Sequence, residues 1–163
     1  FCKLIFMICN EKNLKAIIVD SPENLEKILS LRKEVFVKEQ SVPIKHELDN
    51  LDTMEAISTG RVTHVGIIYR DIALGAGRLV PPSNSKEYHH IGRIAVKKDN
   101  RRHGAGTILM NILHKIARDD GAQGITLSAQ VYVREFYKNL GYKERGEIYD
   151  EVNIPHQDMD LTF

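Results

Sequence analysis

The stretch Arg101-Arg102-His103-Gly104-Ala105-Gly106-Thr107 combines residue types whose order could bind an anion. The first N–H groups of a helix have no intrahelical partners, and the helix dipole adds partial positive charge there. Gly104 and Gly106, placed in a helix's first turn at a cost in helix propensity, leave those amides unshielded. Arg101 and Arg102 add two full charges. These are the requirements of a phosphate-binding helix N-terminus, against the plainer reading of a glycine-rich turn into a core helix. No Gly-Lys-Ser/Thr closes the loop, which excludes a Walker P-loop. A dinucleotide fingerprint fits poorly, for want of a third glycine and of an acidic residue at a second strand end.

Such a loop works only if a strand delivers it and a helix continues it. Residues 91–96 are apolar and partly β-branched, as in a buried strand, and Asp99-Asn100 is turn chemistry. Ile108, Leu109, Ile112, Leu113 and Ile116 lie on one face of a helix that Gly121 stops. Upstream, residues 14–19 read as a strand. Ser21-Pro22-Glu23 starts a helix over about 22–38, with a break before Gln40. An acidic loop follows at 47–52, in which one carboxylate could face a substrate amine, and 54–61 resists assignment. Strands at 62–69 and 72–80 form a hairpin through Arg70-Asp71, and a loop covers 81–85. Downstream come a strand at 124–129, a short helix at 131–140 capped by Gly141, a strand at 142–145, a turn at Gly146-Glu147 and a last strand region interrupted at 153–156. This alternation predicts one α/β (α+β) domain over 13–163 with a tail at 1–12.

Arg101-x-x-Gly104-x-Gly106 at a strand–helix junction resembles motif A of the GNAT superfamily of acetyl-CoA-dependent N-acetyltransferases. Ala129-Gln130 followed by Glu135-Phe136-Tyr137-x-x-Leu140-Gly141-Tyr142 resembles motif B. Arg32-x-x-Val35-Phe36-Val37-x-Glu39-Gln40-x-Val42-Pro43 and Glu147-x-Tyr149-x-Glu151-x-x-Ile154-Pro155-His156-x-x-Met159 resemble the ElaA/YjcF-like branch in particular. The resemblance implies the GNAT fold: a mixed central sheet of six to seven strands flanked by about four helices, with strands 4 and 5 splayed. It also implies acetyl-CoA as cosubstrate. The pyrophosphate would lie on the loop from Arg101 to Thr107, by way of Arg102, His103, Gly104, Ala105 and Gly106. The pantetheine would pair with Ile94, Ala95 and Val96 like an added strand, and a backbone N–H near Val96 would polarise the thioester carbonyl.

By the same resemblance Tyr137 would protonate the leaving thiolate; on residues alone it reads as a core aromatic, and Tyr132 on the same helix has no family match. Gln130 could hydrogen-bond the pantetheine amides or the substrate, and reads equally as a plain helix N-terminal glutamine. For the base, the candidates are Glu47, Asp49, His89 and His90, with Glu47 preferred. The strand glutamate that many members use has no counterpart, since Gly92 and Arg93 occupy that region. Arg93 is expected to bind something acidic or to pair with Glu47 or Asp49 rather than to act as a base, Arg78 is expected to be an ion-pair partner, and His156 a turn or a substrate wall. The expected reaction is acetyl transfer to a primary amine of a small molecule or peptide. The alternative is a module that binds acyl-CoA without turnover.

The 163 residues suit one domain, and apolar content of 42% with 28% charged residues describes an ordinary globular chain. A net charge of +1 gives no general reason to bind nucleic acid or an anionic membrane. Cys2 and Cys9 imply no disulfide framework and no metal site, so a reducing cytoplasm is the expected setting. The apolar run at 4–9 is too short to span a bilayer and lacks the cleavage site of a signal peptide. A first residue of Phe implies a fragment, a processed start or a start introduced by cloning, with Met7 a candidate internal start. An exposed final strand could pair two subunits.

Overall fold

A computed structural model describes residues 14–83 and 88–163; the tail expected at 1–12 and part of the loop after residue 80 lie outside the described residues. Seven strands form one sheet in the order β1-β2-β3-β4-β5-β7-β6. They are β1 Leu14–Ile18, β2 Thr63–Tyr69, β3 Ile72–Val80, β4 His89–Val96, β5 Gly124–Gln130, β6 Lys143–Glu151 and β7 Ile154–Thr162. Every pairing is antiparallel except β4 with β5, which is parallel and limited to His89↔Ile125 and His90↔Thr126. Beyond that pair the two strands part. This is the expected splay, in a mixed sheet at the upper end of the expected strand count.

The helices are α1 Pro22–Arg32, α2 Ile44–Glu47, α3 Met54–Ser58, α4 Ala105–Asp119 and α5 Arg134–Lys138. Ser21 caps α1 with Pro22 at its first position, as read from the sequence. The helix expected to run to 38 changes at Lys33 into a π-helical segment, Lys33–Glu39, which the apolar spacing could not reveal. The unassigned stretch holds α3, whose cap is the Thr53 hydroxyl accepting from the Ala56 N–H at 3.1 Å.

Two apolar clusters hold the sheet. Val65, Ile67, Leu79, Leu109, Leu113, Ile125 and Met159 belong to the one under α4. Leu25, Ile28, Leu31, Val35, Ile68 and Ala76 belong to the one under α1. Neighbouring residues of β3 serve different clusters because side chains alternate along a strand. Gly75 and Gly77 let α4 lie close: a Cβ on either would stand within 2.9 Å of Leu109 or Leu113.

The end of the chain departs from expectation. Gly146-Glu147 does not turn the chain; β6 runs unbroken, with a register shift between Arg145 and Tyr149 that Gly146 accommodates at φ +71°. The reversal comes at Val152-Asn153, both at positive φ, as a two-residue hairpin turn requires. At this end of the sheet the exposed edge strand is therefore β6, with all nine residues exposed, and not the last strand. Among the described residues no helix is long and apolar enough to cross a membrane.

Candidate active site

A cleft of about 1180 Å³ opens where β4 and β5 part. One wall is the backbone of Ile94, Ala95 and Val96, which faces β3 through Ala95↔Ala76 and Val96↔Gly75 and has no register partner on β5. Within β4, Arg93 takes φ +56° and bulges: two residues of β4 oppose one of β3 between the Gly92↔Arg78 and Ala95↔Ala76 pairs. Arg101, Arg102, Gly104, Gly106 and Thr107 line the same end of the cleft. His103 and Ala105 belong to that turn but not to the cleft wall; Ala105 packs on the core instead.

The loop refines the reading of its glycines. Gly104 is the N-cap of α4 at φ +87°, outside the first turn, in a conformation that side chains disfavour. Gly106 does lie in the first turn, and a Cβ there would stand 3.3 Å from Phe136 Cζ, so part of its purpose is to let α5 approach. No side chain caps α4, so its first amides keep no protein acceptor from a cap. The two arginines divide their tasks. Arg101 donates from Nε to the Val96 carbonyl at 2.9 Å and through both terminal nitrogens to Glu39, at 2.5 and 2.8 Å. That fork holds the Glu39 carboxyl below its usual range. Arg102 is exposed, at φ +63°, and has no partner among the described residues.

Across the cleft stand Leu127, Ser128 and Gln130 of β5, with Phe136 and Tyr137 of α5. Tyr137 is buried edge-on against Phe136 and Tyr142, and burial pushes its hydroxyl up, so the phenol keeps its proton. Gln130 donates to the Gln40 side-chain carbonyl at 2.8 Å, and Gln40 donates to the Tyr132 hydroxyl at 3.3 Å. This polar bridge ties the π-helical end of α1 to β5.

At the other end the acidic loop closes on three arginines. Arg32, 1% exposed, donates to Glu47 Oε1 at 2.5 Å, to the Glu47 carbonyl at 2.8 Å, and to Asp52 at 2.6 and 3.1 Å. Arg78 holds Asp49 at 2.8 Å and Asp52 at 3.3 Å; Arg93 lies 3.1 Å from Glu47 Oε2 and 3.7 Å from Asp49. The pairings expected for Arg78 and Arg93 are both present. Burial pushes the Glu47 carboxyl up against the pull of Arg32 and Arg93, while Arg32 holds Asp52 down against its own burial. Glu47 reaches the cleft wall, yet both of its carboxylate oxygens are engaged by guanidinium groups.

The adjacent histidines point to opposite sides of the sheet. His89 is buried 2.8 Å from Asp120 Oδ2 and takes no part in the cleft; His90 lines it. The β6–β7 hairpin supplies the remaining wall with Tyr149, Glu151 and His156, the Tyr149 and His156 rings stacked at 6.1 Å. Tyr149 and Glu151 were missed as site residues. Their i, i+2 spacing would have placed them on one face had β6 been read as a single strand. Among the described residues no cluster could hold a metal ion.

An acetyltransferase (GNAT) domain family matches residues 21–163. The chain belongs to the GNAT acetyltransferase family. It is 36% identical over 147 residues to the Bacillus subtilis protein named uncharacterized N-acetyltransferase YjcF, covering 90% of this chain and 98% of that one. A crystal structure of an acyl-CoA N-acyltransferase from Pseudomonas aeruginosa superposes with a TM-score of 0.79 at 29% identity, covering 90% of this chain and 98% of the other. The crystal structure of Escherichia coli ElaA gives 0.78 at 26%, with the same coverage. This GNAT protein thus falls in the ElaA/YjcF-like branch, and its splayed sheet is the GNAT fold.

Proposed function

We propose that this GNAT protein transfers an acetyl group from acetyl-CoA to a primary amine of a small molecule or peptide. The observation that carries the reading is the uncapped N-terminus of α4 opening into the gap between β4 and β5. The amides from Arg102 to Thr107 would receive the diphosphate, with Arg102 as its free cation. Arg101 would shape the turn through Val96 and Glu39. The pantetheine would run along Ile94–Val96 on the side where β5 no longer pairs with β4, and Gln130 would meet its amides from β5. The P. aeruginosa relative is named for acyl-CoA, which supports this donor.

The chemistry is direct attack. The amine nitrogen adds to the thioester carbonyl, the carbon–sulfur bond breaks, and Tyr137 gives the departing sulfur its proton. Burial keeps the phenol protonated, so a proton is in place when the sulfur departs. Glu47, preferred as the base from sequence, is assigned here to ordering the acidic loop, because its oxygens are bound to Arg32 and Arg93.

Calorimetry of the purified chain with acetyl-CoA tests the donor site. One-to-one binding in the micromolar range is expected, and no heat of binding would overturn the assignment. Tyr137→Phe should then bind acetyl-CoA as wild type does while thiol release in the presence of amines falls roughly 100-fold. Unchanged release would favour the reading of a binding module without turnover.

A further inference from the structure

We infer that His90 takes the proton of the acceptor ammonium, its imidazole lying in space that Gly92 leaves free. The inference rests on the acetyltransferase reading and names a group that this reading leaves open.

His90 is exposed in the cleft, and among the described residues its ring has no hydrogen-bond partner. Other histidines are committed: His64 to the Leu51 carbonyl, His89 to Asp120, His114 to the Tyr142 hydroxyl, His156 to the Ile154 carbonyl. The His90 ring leans along β4 over its next same-face neighbour. A Cβ on Gly92 would stand 3.3 Å from His90 Nε2, so a larger residue there would displace the ring. Position along the sheet separates His90 from His156. His156 is level with Gln130 at the open end of the gap, while His90 is level with Thr126, where the strands close. A pantetheine laid from Val96 towards Ile94 directs its thioester towards that closed end, to Gly92 and the bulged Arg93, and so past the Val96 N–H that the resemblance offers for its carbonyl.

The two carboxylates read from the sequence as candidate bases are less suited. Glu47 is held by Arg32 and Arg93, and Asp49 by Arg78. The charged groups facing His90 are Arg78 from β3, Arg93 from β4, Asp158 from β7 and Glu151 from β6. The cleft walls and the two arginines hold the imidazole below its usual value against the two acids, so it is unprotonated and able to accept at neutral pH. The protons balance. The ammonium loses one to His90, directly or through one water, and the free amine attacks. Tyr137 protonates the thiolate and recovers a proton from the new amide nitrogen. His90 returns its proton to solvent.

The test uses the full chain saturated with acetyl-CoA, with thiol release followed against pH for two probe acceptors at high concentration. Propane-1,3-diamine is protonated near neutral pH and needs a base; hydroxylamine is largely neutral there and does not. For His90→Gln the rate with the diamine should fall roughly 100-fold near neutral pH and the acidic limb of its pH profile should move up towards the pKa of the free diamine, while hydroxylamine, its rate without protein subtracted, stays within about threefold of wild type. Gly92→Ala should displace the ring and lower the diamine rate about tenfold with acetyl-CoA affinity unchanged. Equal losses with both amines, or a wild-type rate with the diamine, would overturn the assignment. Bound acetyl-CoA with no release to either amine in the wild type would overturn it too. Failure to bind acetyl-CoA at all would instead sink the reading on which it rests.

Discussion

Arg32 shows why the acidic loop after α1 reads differently in sequence and in space. Its place in the apolar spacing of α1 put it on the buried face, and it is buried, but the sequence could not say what neutralises it. The answer lies 15 and 20 residues on, in Glu47 and Asp52. A run of carboxylates after a helix has the composition of a solvated or substrate-facing loop. Only the fold brings Arg78 and Arg93 in from β3 and β4 to complete the cage. Removing one member of such a network leaves buried opposite charges only partly compensated, which costs more than the pair contributes. Arg32→Met keeps the apolar stem and deletes the charge that Glu47 and Asp52 share. Its expected cost is about 3–5 kcal/mol in urea unfolding, with α1 otherwise intact by circular dichroism.

At the scale of elements, β4 and α4 were legible because their signals are local: a short apolar strand, a turn, and five apolar residues at helical spacing. Their reason for joining through two glycines was only half legible. Bare amides explain an absence of side chains, but the left-handed Gly104 and the Phe136 ring over Gly106 involve a dihedral and a contact with α5, 30 residues away. β6 was misread for a related reason: Gly146 marks a bulge as readily as a turn, and the pairing with β7 decides between them. Gly106 offers a clean probe, since it does not need a positive φ. Gly106→Val should press on Phe136 and cover the first amides of α4. Acetyl-CoA affinity should fall about tenfold or more, or at least 1.4 kcal/mol by calorimetry, with much smaller loss in thermal stability.

Over the whole molecule, the gap that admits the donor is also a mechanical weakness. The sheet is joined across β4 and β5 by two residue pairs, so other elements must hold β5–β7 against the rest. Helix α4 does this, packing on β3 and β4 while His114 reaches the far half. Its Nε2 lies 2.8 Å from the Tyr142 hydroxyl and its ring meets Phe163 edge-on at 6.3 Å. Burial, reinforced by Arg118, lowers His114 from 6.5 to about 4, so the folded chain holds it neutral and Tyr142 can donate to it. The unfolded chain takes up a proton below about pH 6.5 that the folded chain refuses until about pH 4, so the unfolded state binds more protons in that window. Stability is therefore full above the window and declines as the pH falls through it, by about 3 kcal/mol from this group. His64 and His90, also held below their usual values, add to the decline with the same sign. His114→Gln removes one share: urea unfolding at a series of pH values should show a shallower acid limb for the variant than for wild type. Equal slopes would mean that the join between the two halves of the sheet does not depend on the neutral imidazole.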